Sequence, residues 1–431
     1  MHSLWHETTV HDKRPALCGD KSADVLVIGG GMCGILTAHF LKAAGAHPIV
    51  VEGARVGGGV SGNTTAKITA QHGLIYADLI ARFGTERALQ YYNGNTRAIA
   101  AYHSLAEQFP CAFAHKTAYV YSTVHREKLE AEAKAYQTLK IPGRLTEEVA
   151  LPLQTVGAMA LDGQGQIHPL KLLYGLSAGL EVYENTFVQK LEGRTAHTSR
   201  GKISARRIVL ATHYPLVNIL GLYFLKLYQH RSYVLALENA PLVDGIFLDE
   251  QEGGLSWRSY GDLLLVGGGA HKTGKADGGR AVPERFVKGA YPAAQVKYHW
   301  ATQDCMSLDK VPYIGRHHSP GRELFLASGF NKWGMTGAMV AARLLTDLIV
   351  RGKSEDETLY APRRSILRKQ LYFNLGAAAG GLLTPGTPRC THMGCKLHEN
   401  KAEQSWDCAC HGSRFDRAGQ VLTGPAKRAL K

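Results

Sequence analysis

Residues 23–52 read ADVLVIGGGMCGILTAHFLKAAGAHPIVVE, and the fold turns on this stretch. It opens with a Val- and Ile-rich apolar run, the pattern of a strand buried on both faces of a parallel sheet. The run passes directly into Gly29-x-Gly31-x-x-Gly34. A helical segment follows and stops at Gly45, and a second apolar strand ends at Glu52. In such a βαβ unit Gly29 permits the tight turn, Gly31 lets the backbone approach a pyrophosphate, and Gly34 lets helix and strand pack closely. The pyrophosphate rests on the helix N-terminus, where free N–H groups and the helix dipole favour an anion. Glu52 can accept from both ribose hydroxyls, and its charge disfavours the 2′-phosphate of NADP. A doubly wound α/β dinucleotide-binding domain is the expectation.

Several further segments favour FAD over NAD. After Glu52 comes GARVGGGVSGNTTAKITAQHG, residues 53–73, a Gly/Ser/Thr-rich loop able to wrap a long cofactor. RRIVLATHYP, residues 206–215, reads as a strand ending in small residues. Near residue 324 a strand runs through Gly329 and Gly334 into a helix beginning about Met335. A second helix N-terminus placed there would stabilise negative charge developing on a reduced flavin. Together these segments resemble the glycine/D-amino-acid oxidase family of FAD-dependent oxidoreductases over roughly residues 20–360. That resemblance implies a dinucleotide domain (about 22–75, 180–215 and 310–352) interrupted by a mixed α+β substrate domain (about 76–180 and 220–310). It also implies that Ser61, Thr64 and Ala66 approach the pyrophosphate or flavin. Val188 would meet the adenine, and Gly329, Gly334, Met335 and Thr336 the flavin ring.

The other end is different in kind. Residues 390–416 carry four cysteines and three histidines. Cys390-x-His392 is followed, after 15 residues, by Cys408-x-x-His411. Two thiolates and two imidazoles on two loops suit either zinc or an iron–sulfur cluster. Each loop giving one of each suits a cluster with two unlike irons. CTHMGC, CACHGSRFD and GQVLTGPA resemble the Rieske 2Fe–2S domain, a small all-β/loop module, which makes Cys390, His392, Cys408 and His411 the ligands. In many such domains the positions of Cys395 and Cys410 form a disulfide, and both are cysteine here, as a bridge or as two free thiols. A serine at the position of Ser413 donates to a bridging sulfide in high-potential members. The sheet base that usually precedes the first ligand loop is missing. Either the larger domain supplies support or the cluster is unusually exposed. The expected organisation is an oxidoreductase unit at 1–365, a linker at 366–388 and the cluster module at 389–431.

Bulk properties bound the alternatives. A chain of 431 residues exceeds one ordinary core. No apolar run is long enough for a membrane span. The N-terminus lacks a signal-peptide pattern, and the scattered Cys18, Cys33, Cys111 and Cys305 read as reduced thiols, so a cytoplasmic protein is expected. Net charge is +14, spread without the aromatic interleaving of a nucleic-acid site. Arg389, Lys396, Arg414, Arg417, Lys427 and Arg428 flank the ligand loops and suggest docking of an acidic carrier such as ferredoxin or flavodoxin. Lys67 and His72 have the chemistry of catalytic residues, and His168 and Arg258 that of carboxylate ligands, but structural roles fit each equally well and none is assigned. GGGAHKTGK, residues 267–275, lacks the Gly-Lys-Ser/Thr ending of a phosphate loop and is expected in the substrate-domain sheet and its turn.

A flavin takes two electrons and a 2Fe–2S cluster one, so a chain with both can turn a two-electron oxidation into single-electron steps. The expected function is oxidation of a small amine or amino acid, with electrons leaving through the cluster. Inward flow to a reductase, a redox sensor, and a structural zinc site on a plain oxidase are the alternatives.

Overall fold

The computed structural model describes residues 3–275, 278–318 and 323–430. The opening apolar run forms the strand Lys21–Ile28, paired in parallel with Pro48–Val51 on one side and Gly201–Leu210 on the other. Glu181–Tyr183 and Leu324–Ser328 extend the sheet in parallel, and Tyr313–Arg316 closes one edge antiparallel. The helices Met32–Ala43 and Gly334–Val350 pack against one another, sharing a core with Val25, Val27, Leu36, Met339 and Leu345. Two glycines are obligatory at this crossing. Gly29 has φ +117°, and a Cβ on it would stand 2.4 Å from the Ala211 carbonyl oxygen. A Cβ on Gly34 would stand 1.9 Å from the Gly29 carbonyl oxygen. No side chain fits at either position.

A second sheet runs, in spatial order, Gln295–Ser307, Leu227–Glu238, Leu263–Lys272, Ser256–Tyr260, Ile246–Asp249, Ala114–Ser122, Gly157–Gln166 and Lys67–Ile68. It is antiparallel except where Ile246–Asp249 meets Ala114–Ser122. This is the mixed domain expected from the resemblance. The GGGAHKTGK segment lies at the end of Leu263–Lys272 and in the turn beyond it, as expected.

The C-terminal module is a four-stranded antiparallel sheet: His398–Asn400, Ser405–Asp407, Arg414–Asp416 and Val421–Thr423. The segment expected as a linker, 366–388, instead carries the helix Lys369–Leu383. Its Leu residues and the three alanines at 377–379 are good helix formers, and Pro385 falls just beyond its end.

The missing base of the module is supplied by the second sheet. Gln229 Nε2 donates to the carbonyls of His411 (2.7 Å) and Gly424 (3.1 Å), and Gln303 Nε2 donates to the Gly412 carbonyl (2.7 Å). A Cβ on Gly274 would lie 2.5 Å from the Ala409 nitrogen, so the turn at the end of Leu263–Lys272 presses directly on the second ligand loop. Beside these contacts Arg231 Nε (2.7 Å) and the Tyr233 hydroxyl (2.7 Å) both donate to Glu403. Glu403 also takes Arg414 Nη2 at 3.0 Å, and Arg414 Nε reaches Asp407 at 2.9 Å. This corrects the expectation for Arg414. It is buried inside an ion-pair network and is no docking cation.

Burial opposes the charge on Glu403, yet the hydrogen bond and charge of Arg231, then Arg414, hold its carboxyl down to about 2. The folded value lies below the ordinary one of 4.5, so the stabilisation is present above that pH and is lost as pH falls toward 2. Glu403→Gln leaves two buried guanidiniums without a full counter-charge, a loss of about 3 kcal/mol for a broken buried pair. We expect limited proteolysis at residues 384–388 to accelerate in the variant at neutral pH, and in the wild type only in acid. Equal resistance of both proteins at pH 7 would show that the network does not hold the module.

Candidate functional site

The turn after Lys21–Ile28 opens onto a cavity of about 340 Å³. Of the residues expected to hold FAD, Gly29, Gly31, Glu52, Ser61, Thr64, Val188, Gly334 and Met335 line it. Glu52 accepts from the Gly30 nitrogen (2.8 Å) and the Ala54 nitrogen (2.9 Å), and burial raises its pKa. The helices Met32–Ala43 and Gly334–Val350 both begin at this cavity, and neither N-cap residue gives a side-chain bond. Met32 N–H donates to the Ser61 hydroxyl oxygen (2.9 Å), and both helix N-termini present a partial positive charge that suits an anion or a polar ring edge. An acidic strand end, a glycine turn under one helix N-terminus and a second helix N-terminus form a cradle suited to an extended dinucleotide.

Four expected residues lie off this cavity. Gly34 serves helix packing, as its close approach to Gly29 shows. The Ala66 carbonyl accepts Arg258 Nη1 at 3.0 Å. Gly329, at φ +72°, turns the chain after Leu324–Ser328 beside Leu227 and Ser307. The Thr336 hydroxyl donates to the Thr69 carbonyl at 3.1 Å.

A larger cavity of about 770 Å³ adjoins the first and shares Thr64, Asp304, Lys332 and Met335 with it. Lys67, His72 and Trp333 are also on its wall. Burial, and secondarily Arg258, lower the Lys67 pKa to about 7. His72 stacks on Trp333 with ring centroids 4.7 Å apart. Its Nδ1 lies 2.6 Å from the Tyr91 hydroxyl, and burial pushes its pKa down to about 3, so it is neutral. Burial raises the Asp304 carboxyl to about 6, against the opposing charge of Lys332. His168 and Arg258 do not line this cavity. His168 Nδ1 accepts from the Lys171 nitrogen (3.2 Å) and caps the helix Pro169–Ala178. Arg258 is fully buried, donates to the Thr65 carbonyl at 2.7 Å, and packs near the rings of Trp5 and Tyr260. Both have structural roles, in shaping the loop at 64–67 and its support.

The four expected cluster ligands converge. The rings of His392 and His411 stand 4.9 Å apart and perpendicular, and the Nδ1 atom of each is buried without a hydrogen-bond partner. Burial holds both imidazoles neutral, at about 4 and about 3. Cys390 and Cys408 are buried free thiols that hydrogen-bond to one another, and Ser413 reaches Cys390. Two orphaned imidazole nitrogens and two adjacent thiols are the donor set a cluster with unlike irons needs. Cys395 and Cys410 form a disulfide. That bond also disposes of a potential metal group among the described residues, Cys395, Cys408 and Cys410, since two of its three sulfurs are spent on it.

Between the two centres lie residues that the sequence reading passed over. Tyr214 has its ring 6.2 Å from that of His392 and 6.5 Å from that of His411. The adjacent His213 lines the smaller cavity, and its Nε2 is buried without a partner. Asn218 Oδ1 lies 3.4 Å from His392 Nε2, and the backbone of Phe224 bonds His411. The histidine edge of the module is therefore turned inward. The available signal is the HYP tripeptide two residues beyond the parallel strand Gly201–Leu210, where loop residues of open α/β sheets meet ligands.

Residues 24–348 match the family profile described as FAD dependent oxidoreductase, and residues 367–431 match the Rieske [2Fe-2S] domain. The chain is 32% identical over 495 residues to the putative Rieske 2Fe-2S iron-sulfur protein YhfW of Bacillus subtilis (strain 168), covering 100% of this chain and 97% of the relative. Gamma-glutamylputrescine oxidoreductase of Escherichia coli (strain K12) is 23% identical over 372 residues, covering 78% and 85%. Glycine oxidase from Geobacillus kaustophilus superposes with a TM-score of 0.65 at 22% identity, covering 80% of this chain and 99% of that structure. L-proline dehydrogenase from P. horikoshii superposes at 0.67 with 17% identity, covering 80% and 98%. The glycine turn, the paired helix N-termini and the buried Cys/His quartet thus have one explanation: the chain belongs to the FAD-dependent oxidoreductases, joined here to a Rieske 2Fe–2S domain.

Proposed function

We propose that the chain oxidises a small amine or amino acid and passes the electrons singly through the Rieske centre to an external acidic carrier. The observation that carries this reading is the position of His213 and Tyr214, which span from the smaller cavity to both ligand histidines. FAD supplies two-electron acceptance and the 2Fe–2S cluster one-electron transfer. Glu52 and the turn at Gly29 and Gly31 would hold the nucleotide, with Ser61, Thr64 and Val188 along it and Gly334 and Met335 at the ring. Cys390, His392, Cys408 and His411 would hold the cluster. The larger cavity is the substrate space. Among the described residues it is lined by no arginine, while Lys67, Lys332, Asp304 and Glu252 give it both signs of charge. A roomy, charged cavity favours a metabolic enzyme over a redox sensor. Three parts, 1–365, 366–388 and 389–431, would divide the work, and the reading places the protein in the cytoplasm.

With Arg414 withdrawn from the docking surface, Arg389, Arg417, Lys427 and Arg428 remain exposed among the cations expected beside the module. Lys427 Nζ donates to the Leu216 carbonyl at 3.3 Å and lies close enough to lower the pKa of His392.

Gly31→Val would put a branched side chain beside Ser61, already 3.1 Å from the position of a Cβ, and the purified variant should lose its yellow colour. Full flavin occupancy would move the nucleotide elsewhere. Cys408→Ser should remove iron and the low-average-g EPR signal of the reduced centre while flavin stays bound. Stoichiometric zinc without iron or sulfide would refute the ligand assignment. Anaerobic addition of candidate amines should bleach the flavin and then raise that EPR signal. Onward transfer to an acidic acceptor should slow steeply with added salt and with Arg417→Glu plus Arg428→Glu. A salt-independent rate, or flavin reoxidation by oxygen ahead of cluster reduction, would instead fit a plain oxidase.

A further inference from the structure

The helix Lys369–Leu383 is out of character for a surface helix. One side rests on the protein. Leu371 and Asn374 are buried, Asn374 Nδ2 donates to the Leu225 carbonyl at 3.2 Å, and a Cβ on Gly381 would lie 2.7 Å from Cys410 Sγ. The rest faces solvent without one charged side chain from Gln370 to Leu383. Tyr372 and Phe373 are each 69% exposed and Leu383 is 82% exposed, and in projection Leu375 and Leu382, also exposed, continue this face on the Tyr372 side. A solvated helix ordinarily sets charges on this face, and a contiguous apolar surface marks a binding site. The short helix Tyr223–Lys226 packs against it, and the exposed Ile219, Leu220 and Leu222 lie in the turn just before that helix.

The charge around this face says what covers it. Between Glu357 and Glu399 the sequence has no acidic residue and six basic ones: Arg363, Arg364, Arg368, Lys369, Arg389 and Lys396. Arg364 is spent on Asp309 (2.9 Å), and Arg389 binds the Thr384 carbonyl (2.9 Å) at the end of the helix while remaining exposed. Arg363 and Lys369 are exposed before and at its start. A second copy of this chain would bring these cations against their own kind. An anionic bilayer answers both features at once, because its acyl region takes the apolar side chains and its headgroups take the cations. A 15-residue helix is about 22 Å long, short of the roughly 30 Å hydrocarbon layer, so it lies along the surface and does not cross. We propose that Lys369–Leu383 is an interfacial anchor that seats the protein on an anionic lipid surface, with the disulfide edge of the Rieske module directly above it. This goes beyond the proposed reaction and does not depend on it.

The test is co-sedimentation of the full holoprotein with vesicles of phosphatidylcholine alone and of phosphatidylcholine mixed with phosphatidylglycerol. Binding should require phosphatidylglycerol and weaken with salt, each cation at the surface contributing about fivefold to partitioning. Phe373→Glu with Leu383→Glu changes only exposed positions, and it should lower partitioning by about tenfold or more. Flavin absorbance and the cluster EPR signal should be unchanged and serve as the check on folding. The proposal is overturned if the wild type ignores anionic vesicles or if the double variant binds them as well as the wild type. It is equally overturned if light scattering finds a wild-type dimer that the double variant converts to monomer, since the face would then belong to a second copy.

Discussion

Two buried glutamine side chains hold this molecule to its purpose. Gln229 and Gln303 sit on adjacent antiparallel strands and bond one another at 2.8 Å, and both spend their donors on backbone carbonyls of the cluster module. A buried carbonyl without a donor costs on the order of 1–3 kcal/mol, so these amides fix where the second ligand loop can lie. The Rieske sheet has four strands of three residues each, too small to bury a core of its own. The larger domain lends it a floor. The orientation of the two histidines toward Tyr214 then follows from where that floor stands.

The same economy of burial shapes the oxidoreductase domain. Arg258 is fully buried with no carboxylate partner among the described residues; its Nη1 donates to the carbonyls of Thr65 and Ala66, while Nε and Nη2 are buried without a partner. It therefore pins the loop that carries Thr64 and Lys67, at the cost of a desolvated cation that burial pushes down to about 9. Lys67 feels both that charge and its own burial. Lysines with such lowered pKa values are found where proton chemistry is done, though an electrostatic neighbour alone accounts for part of the effect. Asp304 and Lys332 stand on the wall common to the two cavities, one carboxyl raised and one amine lowered by burial, each partly restoring the other's charge.

Reading a role from residue type alone failed where packing chose the role. Arg414 has the composition of a docking cation and lies within the ligand-loop motif, but its guanidinium is enclosed by Glu403, Asp407 and Ser405. His168 and Arg258 have the chemistry to hold a carboxylate and instead cap a helix and brace a loop. Segment 366–388 has the glycine content of a linker and forms a helix because its inward face has a surface to rest on, including the Cys395–Cys410 disulfide.

The sequence by itself determined the parts whose chemistry is local. The turn at Gly29, Gly31 and Gly34 needs backbone space within one βαβ unit, and Glu52 follows from the length of that unit, so spacing along the chain is spacing in the structure. The Cys390/His392 and Cys408/His411 pairs are likewise each confined to one loop. Tertiary structure alone decided everything that joins distant segments. It brought Gln229 to His411 across 182 positions and Arg231 to Glu403 across 172, and it set Tyr214 between cavity and cluster. No periodicity or motif encodes such pairs, because each depends on two surfaces meeting after both have folded, and on which polar groups that meeting removes from water.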